Sequence, residues 1–68
     1  MKLSARNQIA GKIVTVSDGA VNGQVKVDIG GGIIVTSSIT NEAIAELELK
    51  SGDAVTVIIK STDVLIGK

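Results

Sequence analysis

An all-β fold, a small five-stranded barrel with one short helix between strands 3 and 4, follows from three observations. The aliphatic residues are mostly Val and Ile, β-branched types that suit a pleated surface. They recur in short runs separated by glycine-bearing turns. A single segment, "TNEAIAELELK", departs from this and carries helical spacing instead.

The first strand is "QIAGKIVTV", in which Gly11 marks a bulge or a point of close backbone contact. Asp18-Gly19 is a type I′ hairpin signal leading to the second strand. Asn22-Gly23 competes as the turn, but a turn there would cut the alternation that begins at Val21. In "AVNGQVKVDI", Val21, Val25, Val27 and Ile29 take odd positions while Asn22, Gln24, Lys26 and Asp28 take even ones, which gives a strand with one wet face. The glycine run at residues 30–32 is a loose hairpin into a third strand, "IIVTSSI". It looks superficially like a phosphate loop, yet lacks the Lys-Ser/Thr and the helix start such a loop needs. Thr40 then serves as N-cap of a helix of about two turns, with Glu42 in the first turn and Ile44, Leu47 and Ala43 at helical spacing. "KSGDA" leads into the fourth strand, "AVTVIIKS", and "DVLIG" is the fifth. This element order is that of the small barrel called the OB fold, which takes its name from oligonucleotide and oligosaccharide binding.

At 68 residues the chain reads as one domain, residues 1–68, of a size that buries only about 60% of its unfolded surface. Such a core needs a supplement. Disulfides are excluded by the absence of cysteine, and a structural metal lacks its preferred nitrogen and sulfur ligands, since histidine is absent too. Self-association remains. The runs "KIVTV", "IIV", "VIIK" and "VLI" agree with it, because they place aliphatic residues on both sides of their strands and one small interior cannot hide both sets. No apolar run has the length of a signal-peptide core or a membrane span, which places the chain in the cytoplasm.

Seven basic residues balance seven acidic ones, and there is no aromatic side chain. Nucleic-acid binding by such a barrel uses base stacking on aromatics within a positive groove, so neither element of that mode is present. The chain also reads as no enzyme. His and Cys, the most versatile acid–base and nucleophilic groups, are missing, and the carboxylates fall in turns (Asp18, Asp53), on a wet strand face (Asp28) or spread along the helix (Glu42, Glu46, Glu48) without a paired spacing.

Two polar clusters stand out against this background. "SARNQ" precedes the first strand, and "IKSTD" separates the last two. Together they hold an ammonium, a guanidinium, hydroxyls, side-chain amides and backbone N–H groups, an inventory made largely of donors. Donors converging without carboxylates suit a small oxyanion. The plainer reading is that Ser4 and Thr62 end strands and Lys60 is solvated; pattern alone leaves both readings standing.

At these two clusters the chain resembles the molbindins, small Mop-domain proteins that bind molybdate and tungstate. "SARNQIAGKIV" is similar to the family's N-terminal signature and "VIIKSTDVLIG" to its C-terminal one, with "GGIIVTSSIT" and a short acidic helix between them. The resemblance implies a five-stranded OB-like barrel assembled as a homo-hexamer, a trimer of dimers, that holds molybdate or tungstate between subunits. Molybdenum or tungsten is then bound as an oxyanion with no direct cation ligands. Carried over by motif, Ser4, Ala5 and Arg6 present donors from one chain, Ala5 and Arg6 through backbone N–H groups, and Lys60 and Ser61 come from a neighbour; Thr40 is a further donor. A second anion site near a symmetry axis falls on "SDGAVNG", at Gly19, Ala20 and Asn22, with the Asp18 carboxylate an unfavourable neighbour for it. The implied function is cytoplasmic storage or buffering of these oxyanions. Two alternatives come from other classes: a ligand-sensing regulatory module, and an oligonucleotide-binding barrel with no small ligand.

Overall fold

The computed structural model describes residues 1–68. Four strands, β1 (Asn7–Ser17), β2 (Asn22–Asp28), β3 (Ile34–Thr40) and β4 (Ala54–Ile59), form one antiparallel sheet in the order β3-β2-β1-β4. A helix, α1 (Asn41–Glu46), lies between β3 and β4. The sheet is all-β and OB-like as the sequence predicts, but it has four strands rather than five. "DVLIG" makes no strand: Ser61–Asp63 is a single 3-10 turn, and Val64 to Gly67 pair with nothing. An apolar run becomes a strand only where it lies along a backbone edge, and this segment lies along neither free edge of the sheet, β3 or β4.

β1 is long because it serves two partners in turn. Asn7 to Lys12 pair with β4, and Lys12 to Ser17 pair with β2, so the sheet curls about the middle of this strand. Gly11 sits at that changeover, where an added Cβ would lie 2.5 Å from Val27 Cγ1 and 2.9 Å from the Asp28 carbonyl oxygen. It is therefore the close-contact point, and the bulge lies farther on: Ile13 opposes Val27 while Thr15 opposes Lys26, leaving Val14 as the extra residue. The bulge shifts the phase of the strand, so that Ile13 and Val16 both turn inward and Val14 outward. Part of the two-sided character of "KIVTV" is thus a register shift. The loop after α1 secures it: Ile13 N–H donates to the Asp53 carbonyl (2.9 Å), Gly52 N–H to the Ile13 carbonyl (2.8 Å) and Ser51 Oγ to the Val14 carbonyl (2.8 Å).

β2, at the centre, keeps its alternation, with Gly23, Val25 and Val27 buried and Asn22, Gln24, Lys26 and Asp28 exposed. Val21 falls outside the strand and is exposed. The β1–β2 connection spans residues 18–21 and contains Asp18-Gly19 as expected, but Gly19 lacks the left-handed backbone a type I′ turn needs. Its N–H and carbonyl are both held by the Asn41 side chain. The β2–β3 hairpin has all three glycines 30–32 at positive φ (99°, 62° and 75°), a run only glycine adopts without strain.

Thr40 caps α1 by accepting from Ala43 N–H at 3.0 Å. The helix ends in a Schellman arrangement: Leu49 N–H donates to the Ile44 carbonyl, Glu48 N–H to the Ala45 carbonyl, and Glu48 takes φ 51°. Leu49 then packs with Ile44 against the core, and Leu47, expected on the apolar face, is left 66% exposed. The core itself is Ile13, Val25, Val27 and Ile44, ringed by half-buried Val16, Ile29, Ile39, Leu49, Val55 and Val57. Large aliphatic residues stay outside it, including Ile33, Ile34, Ile58, Leu65 and Ile66.

Candidate functional site

The β1–β4 ladder ends with Asn7 opposite Ile59. Beyond that pair the chain enters residues 4–6 on one strand and residues 60–61 on the other, so the fold brings Ser4, Ala5 and Arg6 to the same end of the sheet as Lys60 and Ser61. Both sides are tied down locally. Asn7 Nδ2 donates to the Ile59 carbonyl at 3.2 Å, and Gln8 Nε2 reaches back to the Ala5 carbonyl at 2.9 Å. After Lys60, Asp63 N–H donates to the Lys60 carbonyl at 2.9 Å and closes the 3-10 turn that carries Ser61.

Arg6, Lys60 and the Asp63 carboxylate of the 3-10 turn are the charges at this end, and none of them is in an ion pair. The chain's one ion pair joins Lys50 to Asp53 at 3.4 Å, leaving Arg6 and Lys60 without a carboxylate partner. Ser4, Arg6, Lys60 and Ser61 are exposed and Ala5 is half-buried. The arrangement is therefore an open, donor-rich surface that a second surface must cover before an anion on it loses its water. No group of three or more His, Cys, Asp or Glu side chains stands together to ligate a metal cation.

The other nominated residues assemble elsewhere. Asn22 is the register partner of Thr40, and Gly19 is bound at both its N–H (3.3 Å) and its carbonyl (2.8 Å) by Asn41. Asn41 N–H also donates to the Val21 carbonyl at 2.8 Å. Gly19, Ala20, Asn22 and Thr40 thus lie together at the C-terminal end of β1, the end opposite Ser4, Ala5, Arg6, Lys60 and Ser61. Within one chain Thr40 belongs with the second group and not the first. Its Oγ1 accepts from Ala43 and keeps its O–H as a donor, while the Gly19 N–H is already spent on Asn41, so the Thr40 hydroxyl, Ala20 N–H and the Asn22 side-chain amide are the donors left free there.

Asn41 went unnoticed in the sequence because it reads as the first residue of a helix. Its signal was its type: Asn is a poor helix former whose amide readily bonds neighbouring backbone, and here it fastens the turn across the sheet.

Comparison with known proteins bears on both ends of the molecule. The TOBE domain family matches residues 3–66. "Molybdenum-pterin-binding protein 3" of Clostridium pasteurianum is 48% identical over 66 residues, covering 97% of each chain. The "Probable molybdenum-pterin-binding protein" of Haemophilus influenzae is 46% identical over 67 residues, covering 98% of this chain and 97% of that one. Among solved structures, MopII from Clostridium pasteurianum superposes with TM-score 0.92 at 42% identity, over 98% of this chain and all of that one. A molybdate-binding protein from Sporomusa ovata gives TM-score 0.93 at 31% identity over the whole of both chains. ModG, described as a cytoplasmic molybdate-binding protein and solved with molybdate bound, gives 0.84 at 44% identity over 90% of this chain and 43% of its own. Sequence match and superposition agree from one end of the chain to the other, and the chain belongs to the TOBE domain family and, within it, to the molbindins.

Proposed function

We propose that this chain, a single Mop domain over residues 1–68, binds molybdate or tungstate at subunit interfaces of a homo-oligomer and serves to store or buffer these oxyanions. The observation that carries the reading is the end of the β1–β4 pair, beyond which residues 4–6 and residues 60–61 continue at the same end of the sheet, with Arg6 and Lys60 in no ion pair. The names of the relatives, and the molybdate in ModG, supply the ligand class. ModG's description as cytoplasmic supports the same location for this chain.

The mechanism is binding without bond-making. A tetrahedral dianion presents only acceptor oxygens, so hydroxyl and N–H donors fix its geometry while Lys60 balances its charge. Because the donor surface is open, the cage closes when the same end of a neighbouring chain faces it, with Ser4, Ala5 and Arg6 of one opposite Lys60 and Ser61 of the other. A hexamer built as a trimer of dimers repeats this contact. Each bound anion then favours the assembled state by mass action. Ala20 and Asn22, beside Gly19 whose N–H is held by Asn41, offer a second, smaller donor group suited to a site at another subunit contact. Sulfate has the same shape but is smaller, and phosphate carries a proton near neutral pH, so a rigid donor cage rejects both.

Isothermal titration with molybdate, tungstate and sulfate, run beside sedimentation of the same samples, tests the reading. Heat with the first two and not with sulfate, on an oligomer, is expected. A chain that gives no heat with any of the three does not have this function.

A further inference from the structure

Side-chain amides occur at Asn7, Gln8, Asn22, Gln24 and Asn41. Those of Asn7, Gln8 and Asn41 donate to the backbone, and each holds the carbonyl of the residue just before one already nominated for anion binding. Gln8 Nε2 holds the Ala5 carbonyl at 2.9 Å, ahead of Arg6. Asn7 Nδ2 holds the Ile59 carbonyl at 3.2 Å, ahead of Lys60. Asn41 Nδ2 holds the Gly19 carbonyl at 2.8 Å, ahead of Ala20. The carbonyl of one residue and the N–H of the next belong to a single planar peptide group, and every peptide in the chain is trans, so the two point in opposite directions. A side chain that fixes the carbonyl therefore fixes the donor behind it.

The hold matters most where nothing else sets the plane. Ile59 is in β4, and the β1–β4 register already orients its carbonyl. Ala5 and Gly19 lie outside every strand, and the Gln8 and Asn41 amides are the only partners their carbonyls have. Without these bonds the Ala5–Arg6 and Gly19–Ala20 peptides turn over at little steric cost, the second most readily because Gly19 has no Cβ. A peptide turned over presents a carbonyl oxygen, an acceptor, where a dianion needs a donor. Both bonds are exposed, so water competes for them and their worth to stability is small; what they set is direction. Asn41 Oδ1 also accepts from the Gly19 N–H, which spends that donor and leaves Ala20 N–H as the free one. Neither Arg6 N–H nor Ala20 N–H has an acceptor in the chain. We propose that Gln8 and Asn41 are positioning residues: neither touches the anion, and each locks a peptide with its N–H facing the ligand, Arg6 N–H at the Lys60 end of the sheet and Ala20 N–H at the opposite end. The inference rests on the oxyanion binding proposed above and names what orients its backbone donors.

The test is a molybdate titration of the full chain, read by calorimetry and by the backbone amide resonances of isotopically labelled protein, with Gln8→Met and Asn41→Ala beside the unaltered chain. Gln8→Met keeps the length of the side chain and removes its donor. It is expected to lower molybdate affinity by about 3- to 10-fold, the worth of one oriented hydrogen bond. The molybdate-induced shift of the Arg6 amide is expected to fall strongly in that variant while the shift of Ala20 is kept. Asn41→Ala is expected to do the reverse, lowering the Ala20 shift and keeping that of Arg6. An undiminished Arg6 shift or an unchanged affinity in Gln8→Met overturns the role of Gln8. Equal losses at Arg6 and Ala20 in either variant show a general loosening and overturn positioning by single peptides. An unaltered chain that gives neither heat nor amide shifts with molybdate overturns the proposed function and this role with it; one in which Arg6 responds and Ala20 does not overturns the role of Asn41 alone. Should a variant fail to fold, Gln8→Asn and Asn41→Ser, whose polar groups stop short of the carbonyl, take its place with the same expected and refuting results.

Discussion

Gly23→Ala tests whether the packing between β2, α1 and the β1–β2 connection is as tight as the structure has it. A Cβ at this buried position would lie 2.5 Å from Ile44 Cδ1, 2.6 Å from the Ser17 carbonyl oxygen and 3.0 Å from Asn41 Oδ1. Ile44 Cδ1 is the end of a flexible side chain and can retreat, but Ser17 O belongs to the β1–β2 ladder and Asn41 Oδ1 is the acceptor for Gly19 N–H. Relief therefore means moving backbone or giving up a hydrogen bond. Overpacking of this kind costs about 1–3 kcal/mol. Against it stands a gain of about 0.4–1 kcal/mol from the stiffer unfolded chain. The net expectation is a loss of roughly 1–2 kcal/mol, a large part of a stability that at ~0.05–0.15 kcal/mol per residue amounts to only about 3–10 kcal/mol for the chain. In a domain of this size that is a fall in Tm of roughly 4–16 °C. Thermal and urea unfolding, read at one fixed protomer concentration because assembly contributes, measure it. Gly67→Ala, with no atom within 4 Å of its Cβ, is the control and is expected to change little. Equal stability of the two variants would refute the packing argument.

Three further outcomes are expected. Thr40→Ala removes the cap of a helix six residues long, which lowers stability by about 0.5–2 kcal/mol and speeds hydrogen exchange at Ala43; an unchanged urea midpoint contradicts the capping role. Glu48→Gly relieves the φ of 51° at the end of α1, where a side chain costs roughly 1–2 kcal/mol, and after the entropy that glycine adds to the unfolded state a gain of up to about 1 kcal/mol remains. A loss of stability on urea unfolding counts against the Schellman reading. Lys60→Ala and Ser4→Ala each weaken molybdate binding in calorimetry, Lys60→Ala by roughly 10- to 100-fold from the worth of a charge-assisted bond. Arg6→Ala, which keeps its backbone N–H, loses less. Wild-type affinity in both Lys60→Ala and Ser4→Ala places the anion elsewhere.

The sequence by itself determined the features whose physics is local. The period of two in β2, the cap at Thr40 and the glycine hairpin at residues 30–32 all depend on residues a few positions apart, and each stands in the structure where the pattern puts it. Tertiary structure decided what needs a distant partner. The bulge at Val14 follows from β1 dividing itself between β4 and β2 and from Ser51 and Gly52 bonding across it, and no residue near Val14 announces that. Asn41 gained its role from Gly19, 22 positions away. The β2–β3 register sets Thr40 beside Asn22, at the end of the sheet away from Ser4, Ala5, Arg6, Lys60 and Ser61. "DVLIG" shows the division most sharply. Its strand-forming composition is written in the chain, but a strand exists only where a segment pairs with another backbone, and within one chain residues 64–67 pair with neither β3 nor β4.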